Sequence, residues 1–196
     1  MKIYTLVLGE YQTNCYLVSD ENGDTAVIDP GYLPQEILRV AREQKLTIRA
    51  VLLTHGHFDH VGGAKGIAEA THCPIYGNGR DLTLPEPLRR GLVLTDFYAE
   101  GDEIDVGTLR FTVMQTPGHS VGSVCLRCGN ALFSGDTLFA GACGRTDFPG
   151  SSGTDMRHSL ARLKAIDVPL NVYPGHGPAT TLQYEKETNP YLQYAT

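Results

Sequence analysis

The chain has 196 residues, 41% hydrophobic and 19% charged, the proportions of a folded globular protein and not of a disordered one. Its net charge of −6 disfavours a nucleic-acid partner, and no apolar run approaches the ~18 residues that a membrane span requires. Five cysteines, an odd number at scattered spacings, give no disulfide framework, so a reducing, cytoplasmic setting is expected.

Residues 2–8, 14–19 and 24–29 read as three strands separated by turn formers such as Asn22-Gly23, and the first of them has no signal-peptide core. Asp29-Pro30-Gly31 breaks the third strand. A helix is predicted from Pro34 to Gln44, with proline in its first turn and Ile37, Leu38 and Ala41 on one face. Residues 48–53 form a short buried strand, followed by a helix from about His60 to Ala70 that contains Gly62, Gly63 and Gly66. Pro74 to Gly77 is another short strand, and 78–97, with two prolines and mixed charge, reads as a loose insertion. Strands are predicted at 108–115, 123–127, 131–134 and 171–173. Helices are predicted at about 154–166, where Ser152 and Asp155 are placed as a capping box, and at 181–188, before Asn189-Pro190. Strands followed by a helix, twice over and with no linker, suggest one α+β domain, 1–196, of two sheets packed face to face with helices outside.

The chemistry begins at Thr54-His55-Gly56-His57-Phe58-Asp59-His60. Three of the seven histidines and one aspartate fall within six positions. In extended backbone His55 and His57 project to one side and can reach one point, while Asp59 and His60 can reach a second beside it. Imidazole and carboxylate suit zinc and similar divalent ions. His119 (Thr116-Pro117-Gly118-His119-Ser120), Asp136 (Ser134-Gly135-Asp136-Thr137) and His176 (Pro174-Gly175-His176-Gly177) each end a predicted strand beside glycine. Taken singly, each has a plain alternative as a turn histidine or a loop-capping aspartate. His72 and His158 read as surface or helix residues outside the site. Cys125 and Cys128 form a lone C-x-x-C on an alternating strand, with no second pair to complete a zinc site, and read as structural. Two divalent ions ~3.5–4 Å apart can share a hydroxide that is a strong nucleophile near neutral pH. Such a centre leaves ester, thioester, amide and phosphodiester hydrolysis open.

In order, the Thr54–His60 motif, His119, Asp136 and His176 resemble the metallo-β-lactamase superfamily over nearly the whole chain. The resemblance implies an αββα sandwich with a two-metal centre at one edge. By position it places His55, His57 and His119 on a first metal, Asp59, His60 and His176 on a second, and Asp136 between them, with Asp59 and Asp136 as the catalytic carboxylates. Zinc is the expected ion, and iron and manganese accept the same donors.

Cys143-Gly144-Arg145-Thr146-Asp147-Phe148-Pro149-Gly150 resembles the loop of short glyoxalase II-like hydrolases, which implies a small acyl-thiol substrate such as S-D-lactoylglutathione. Arg145 can then hold a substrate carboxylate, Cys143 can touch substrate or simply pack, and Phe148 can form an apolar wall. The C-terminal helical region that gives full-length glyoxalase II its glutathione contacts is expected to be missing. Those contacts would fall to 78–97, to Arg145 or to a second subunit; a monomer and a homodimer are both compatible. Two other readings stand beside the hydrolase: a mono-iron persulfide dioxygenase-like oxidoreductase and a non-catalytic metal-binding module.

Overall fold

A computed structural model describes residues 1–195. Two six-stranded sheets face one another. The first runs in the order β1 (Lys2–Leu8), β2 (Thr13–Ser19), β3 (Asp24–Ile28), β4 (Thr47–Leu52), β5 (Ile75–Gly77), β6 (Asp96–Phe97). The strands of the second are β7 (Glu103–Val106), β8 (Leu109–Gln115), β9 (Val124–Cys128), β10 (Ala131–Gly135), β13 (Asn171–Pro174) and β14 (Thr180–Thr181), in the order β14-β13-β10-β9-β8-β7. The short hairpin β11 (Leu138–Phe139) and β12 (Ala142–Cys143) stands apart.

The inner faces of both sheets meet in one apolar layer, with Val18, Ile28 and Leu52 from the first and Phe111, Leu126 and Phe133 from the second. Outside the first sheet, α1 (Pro34–Glu43) and α3 (Ala64–Thr71) bury Ile37, Ala41 and Ile67 against Leu17, Val27 and Val51. Against the second sheet, α5 (Gly153–Lys164), α6 (Leu182–Thr188) and α7 (Pro190–Gln193) bury Met156, Leu160, Leu163, Leu182 and Leu192. The period-2 strands and period-3.6 helices of the sequence thus produce helix–sheet–sheet–helix layers, the expected sandwich.

Two local readings are corrected. The helix expected from His60 to Ala70 is two, α2 (Phe58–Val61) and α3, because the Gly63 N–H donates to the Pro30 carbonyl at 2.7 Å. At Gly63 an added Cβ would stand 2.8 Å from that same oxygen. The region 78–97 is ordered, with a 3₁₀ turn Gly79–Thr83, α4 (Glu86–Arg89) and β6, which extends the first sheet beyond β5. β7 and α7, four residues each, are too short for a periodicity to mark them. Cys125 and Cys128 both lie buried in β9 with free thiols, one in the outer layer and the other between the sheets. A strand turns successive side chains to opposite faces, so residues three apart cannot share a ligand there.

Candidate metal centre

The site forms where strands of both sheets stop on a common edge. After β4, Leu53 and Thr54 lead into His55-Gly56-His57; His119 follows β8, Asp136 follows β10 and His176 follows β13. The two sheets are tied together here by hydrogen bonds. The Asn14 N–H donates to the Gly175 carbonyl at 2.7 Å, the Tyr16 hydroxyl to Pro174 O at 2.6 Å, and the Val124 N–H to Thr54 O at 2.8 Å.

His55, His57 and His119 bring one donor atom each to within 4.8 Å of one another, and Asp59, His60 and His176 do the same. Within the first group His57 Nδ1 and His119 Nε2 are 2.9 Å apart. Within the second, His60 Nε2 lies 3.2 Å from His176 Nε2, which lies 3.3 Å from Asp59 Oδ2. Donors held tetrahedrally at 2.0–2.1 Å from one ion are about 3.3 Å apart, so these spacings fit. Asp136 faces both groups. Its Oδ2 is 3.3 Å from His119 Nε2 and 3.6 Å from His176 Nε2, and its Oδ1 is 3.5 Å from His60 Nε2.

A second layer of acceptors fixes the rings. The Nδ1–H of His60 donates to Asp29 Oδ2 at 3.0 Å, that of His119 to the Arg145 carbonyl at 2.8 Å, and that of His176 to the Tyr11 carbonyl at 3.0 Å. His55 Nδ1–H reaches Thr54 Oγ1 at 3.1 Å, and that hydroxyl donates to Asp29 Oδ2 at 2.6 Å. Each ring so held turns Nε2 inward. His55 Nε2 and Asp136 Oδ1 are buried with no hydrogen-bond partner among the described residues. Leaving a buried polar atom unpaired costs about 1–3 kcal/mol, so two on facing donors of one site are the mark of a place shaped for a cation.

The two halves differ electrostatically. Burial pushes His57 down to about 4, helped by the neighbouring His119 and His60, and it holds His55 well below the ordinary histidine range. These rings are neutral and ready to donate lone pairs. Burial also opposes charge on His60, but Asp136, Asp29 and Asp59 overcome it and raise that ring to about 9. Burial raises the Asp59 carboxyl, yet His176 and His60 more than reverse this and leave it below the usual carboxylate range. The second half is a carboxylate-rich place where positive charge is stabilised.

The pocket over these groups has a volume of about 420 Å³. Tyr11, Phe58, Leu88 and Phe139 supply apolar walls, and Asp59, Asp136 and His176 line the base. Phe148, half-buried, sets its ring edge-on to His57 with centroids 5.7 Å apart. Cys143 and Arg145 form the rim. Arg145 pairs bidentately with Asp147 at 2.6 and 2.7 Å and stacks over Phe148, its guanidinium carbon 4.1 Å from the ring centroid. His72 and His158 are exposed and take no part in either donor group.

Several contributors were invisible in the sequence. Asp29 was read only as a strand breaker, yet it anchors both His60 and Thr54; its φ of 50° lets the chain turn just there. Thr13 donates to Asp59 Oδ2 at 3.2 Å. Asp81, within the supposed loose insertion, is buried and accepts from the Gly56 N–H at 2.6 Å, the Gly122 N–H at 2.7 Å and the Ser120 hydroxyl at 2.9 Å. Burial pushes its carboxyl up, and those three donors work against that. One carboxylate thereby clamps the loop of His55 and His57 to the loop of His119. Asp81→Ala should strand three buried donors and lower stability by roughly 3–5 kcal/mol. The urea midpoint checks this; a change under 1 kcal/mol would mean that the loops hold themselves.

Gly175 lets the backbone approach the centre. A Cβ there would stand 2.2 Å from Asp136 Oδ1 and 2.6 Å from His60 Cε1. Gly175→Ala should therefore displace Asp136 and cost roughly 10–100-fold in metal affinity, the usual effect of disturbing a metal's supporting shell. Competition against a chromophoric chelator measures it, and wild-type affinity would show that the carboxylate moves freely.

Comparison with known proteins agrees with this architecture. The family model described as metallo-beta-lactamase superfamily matches residues 8–176. An uncharacterized protein of Mycobacterium leprae is 38% identical, the match covering 94% of this chain and 95% of the relative. Hydroxyacylglutathione hydrolase GloC of Haemophilus influenzae is 33% identical over 98% of both chains. Among solved structures, BLEG-1 B3 metallo-beta-lactamase superposes with a TM-score of 0.90 at 30% identity, covering 97% of this chain and 99% of that one. TTHA1623 in a di-iron-bound form gives a TM-score of 0.84 at 37% identity, covering 96% and 99%. With a match to the family model spanning most of its length, and with the His/Asp donor groups gathered on the sheet edge, this chain belongs to the metallo-beta-lactamase superfamily.

Proposed function

We propose that the protein is a dinuclear metal-dependent hydrolase that cleaves a small acyl thioester of the S-D-lactoylglutathione kind. The observation that carries this reading is Asp136, whose two carboxylate oxygens stand within 3.3–3.6 Å of donors from both three-residue groups. His55, His57 and His119 would hold one divalent ion, Asp59, His60 and His176 the other, with Asp136 shared. Bound there, such a pair supplies Lewis acidity and brings the pKa of water towards neutrality.

The chain's own groups supply the rest. Asp59 stays ionised at neutral pH, lines the pocket and keeps Oδ1 outside its bond with Thr13, so it can accept a proton from and orient an attacking water. Phe139, Phe148 and Leu88 exclude bulk water and strengthen every charge interaction inside. Arg145 keeps Nη1 outside its pair with Asp147 and offers it to an anionic substrate group at the rim. A thiolate, the conjugate base of a thiol of pKa about 8.5, leaves without being protonated, so a thioester asks less of this site than an amide would. The name of the Haemophilus relative, hydroxyacylglutathione hydrolase, points to the same class.

Zinc is the ion we favour, and the di-iron form of TTHA1623 supports iron as the alternative. The five free thiols are consistent with a reducing compartment such as the cytoplasm, and among the described residues no helix is long and apolar enough to cross a membrane. The test is kcat/KM for S-D-lactoylglutathione, measured beside a β-lactam and a phosphodiester. A value of ~10⁴ M⁻¹s⁻¹ or more for the thioester is expected of an ordinary enzyme on its own substrate. A thioester rate orders of magnitude below that, with faster turnover of either comparator, would overturn the assignment.

A further inference from the structure

A second cavity, of about 590 Å³, adjoins the metal pocket, and the two share Cys143, Gly144 and Arg145 as a common wall. Its apolar lining comes from Met156 and Leu160 of α5 and from Pro190 of α7. The other side is aromatic, with Tyr191 54% and Tyr194 80% exposed and neither phenol bonded to another described residue. Two arginines line the cavity and, among the described residues, no carboxylate does, in a chain whose net charge is −6. Arg157 makes no ion pair among the described residues, and its one hydrogen bond is from Nη2 to Thr154 Oγ1 at 3.2 Å. A guanidinium with no carboxylate partner among the described residues, two exposed phenols and an apolar floor suit a flexible ligand with an apolar stretch and an anionic end.

We propose that this cavity binds the thiol half of the substrate, a low-molecular-weight thiol whose remote carboxylate or phosphate is held by Arg157. The acyl carbon and sulfur then lie in the metal pocket, and the rest of the thiol passes Cys143 and Arg145 to lie along Met156 and Leu160 between the tyrosines. This assignment rests on the thioester reading for the chemistry of its ligand. It also answers where such a thiol finds its contacts: on α5 and α7, not on residues 78–97, none of which lines the cavity.

Isothermal titration with non-hydrolysable thioethers tests it: S-methylglutathione as the carboxylate source, S-methyl-coenzyme A as the phosphate source, and the diethyl ester of S-methylglutathione as a control that lacks both carboxylates. One of the two anionic probes should bind the wild type, and its identity names the acid group. Arg157→Ala should weaken that probe by roughly tenfold or more, the effect of losing about 1.4 kcal/mol. Arg157→Lys should weaken it less, and Tyr194→Ala should also weaken it. The ester should bind more weakly and ignore Arg157→Ala. Both side chains are exposed, so neither substitution threatens the fold. If neither anionic probe binds, or if both alanine variants bind like the wild type, the assignment is wrong. Because the probes are not cleaved, the two readings separate. Arg157-dependent binding by a protein that cleaves no thioester keeps the cavity and removes the thioester reading; thioester cleavage with binding indifferent to Arg157 does the reverse.

Discussion

Replacing Asp136 by alanine is expected to lower kcat/KM for the thioester roughly a thousandfold, a loss of about 4 kcal/mol of transition-state stabilisation. The size follows from position. The oxygens of Asp136 lie 3.3–3.6 Å from donors of both groups, so its removal disturbs both halves at once. Asp59→Asn is expected to be severe for a different reason. The amide keeps the shape and can still accept from Thr13, but it loses the charge that takes a proton from water and offsets His60 and His176. A loss of roughly 10²–10³-fold in kcat with little change in KM is the signature of an interaction made in the transition state. Far-UV circular dichroism should be unaltered in both variants. Wild-type turnover by either variant would remove the proposed roles.

Stripping metal from the protein is expected to abolish hydrolysis and to lower Tm by about 5–10 °C. An ion present at a hundred times its Kd stabilises the fold by about 2.7 kcal/mol, and for a chain of this size 1 kcal/mol moves Tm by about 2–4 °C. The structure gives a reason to expect the whole effect. His55 Nε2 and Asp136 Oδ1 carry a desolvation cost that nothing else among the described residues offsets. Differential scanning calorimetry before and after chelation, followed by stepwise addition of zinc, iron or manganese, measures the shift. An unchanged Tm across all three additions would mean that these donors hold no ion.

The sandwich was legible because its signals are local and strong. Alternation marks β1 and β8, helical spacing marks α1 and α5, and strand-ending glycines mark the loops of His119, Asp136 and His176. Among the donors, the cluster from His55 to His60 stood out by composition alone. Asp29 and Asp81 did not, because a carboxylate in a turn-rich stretch has an ordinary local explanation, and only tertiary contact shows Asp81 bonded to residues 25 to 41 positions away. The interruption between α2 and α3 likewise depends on the Pro30 carbonyl, which is distant in sequence from Gly63. The second cavity was hidden most completely. Its wall comes from the 143–146 loop, α5 and α7, three segments with no shared periodicity, and Arg157 and Tyr194 read as ordinary exposed side chains.

The most direct test of the account is the number of divalent ions bound per chain, measured by inductively coupled plasma mass spectrometry on protein reconstituted with excess metal and then desalted. Two ions per chain are predicted, falling to about one when His60→Ala removes a donor from the second group. A value of one that does not rise with added zinc, iron or manganese would contradict the dinuclear centre and turn the reading towards mono-iron chemistry.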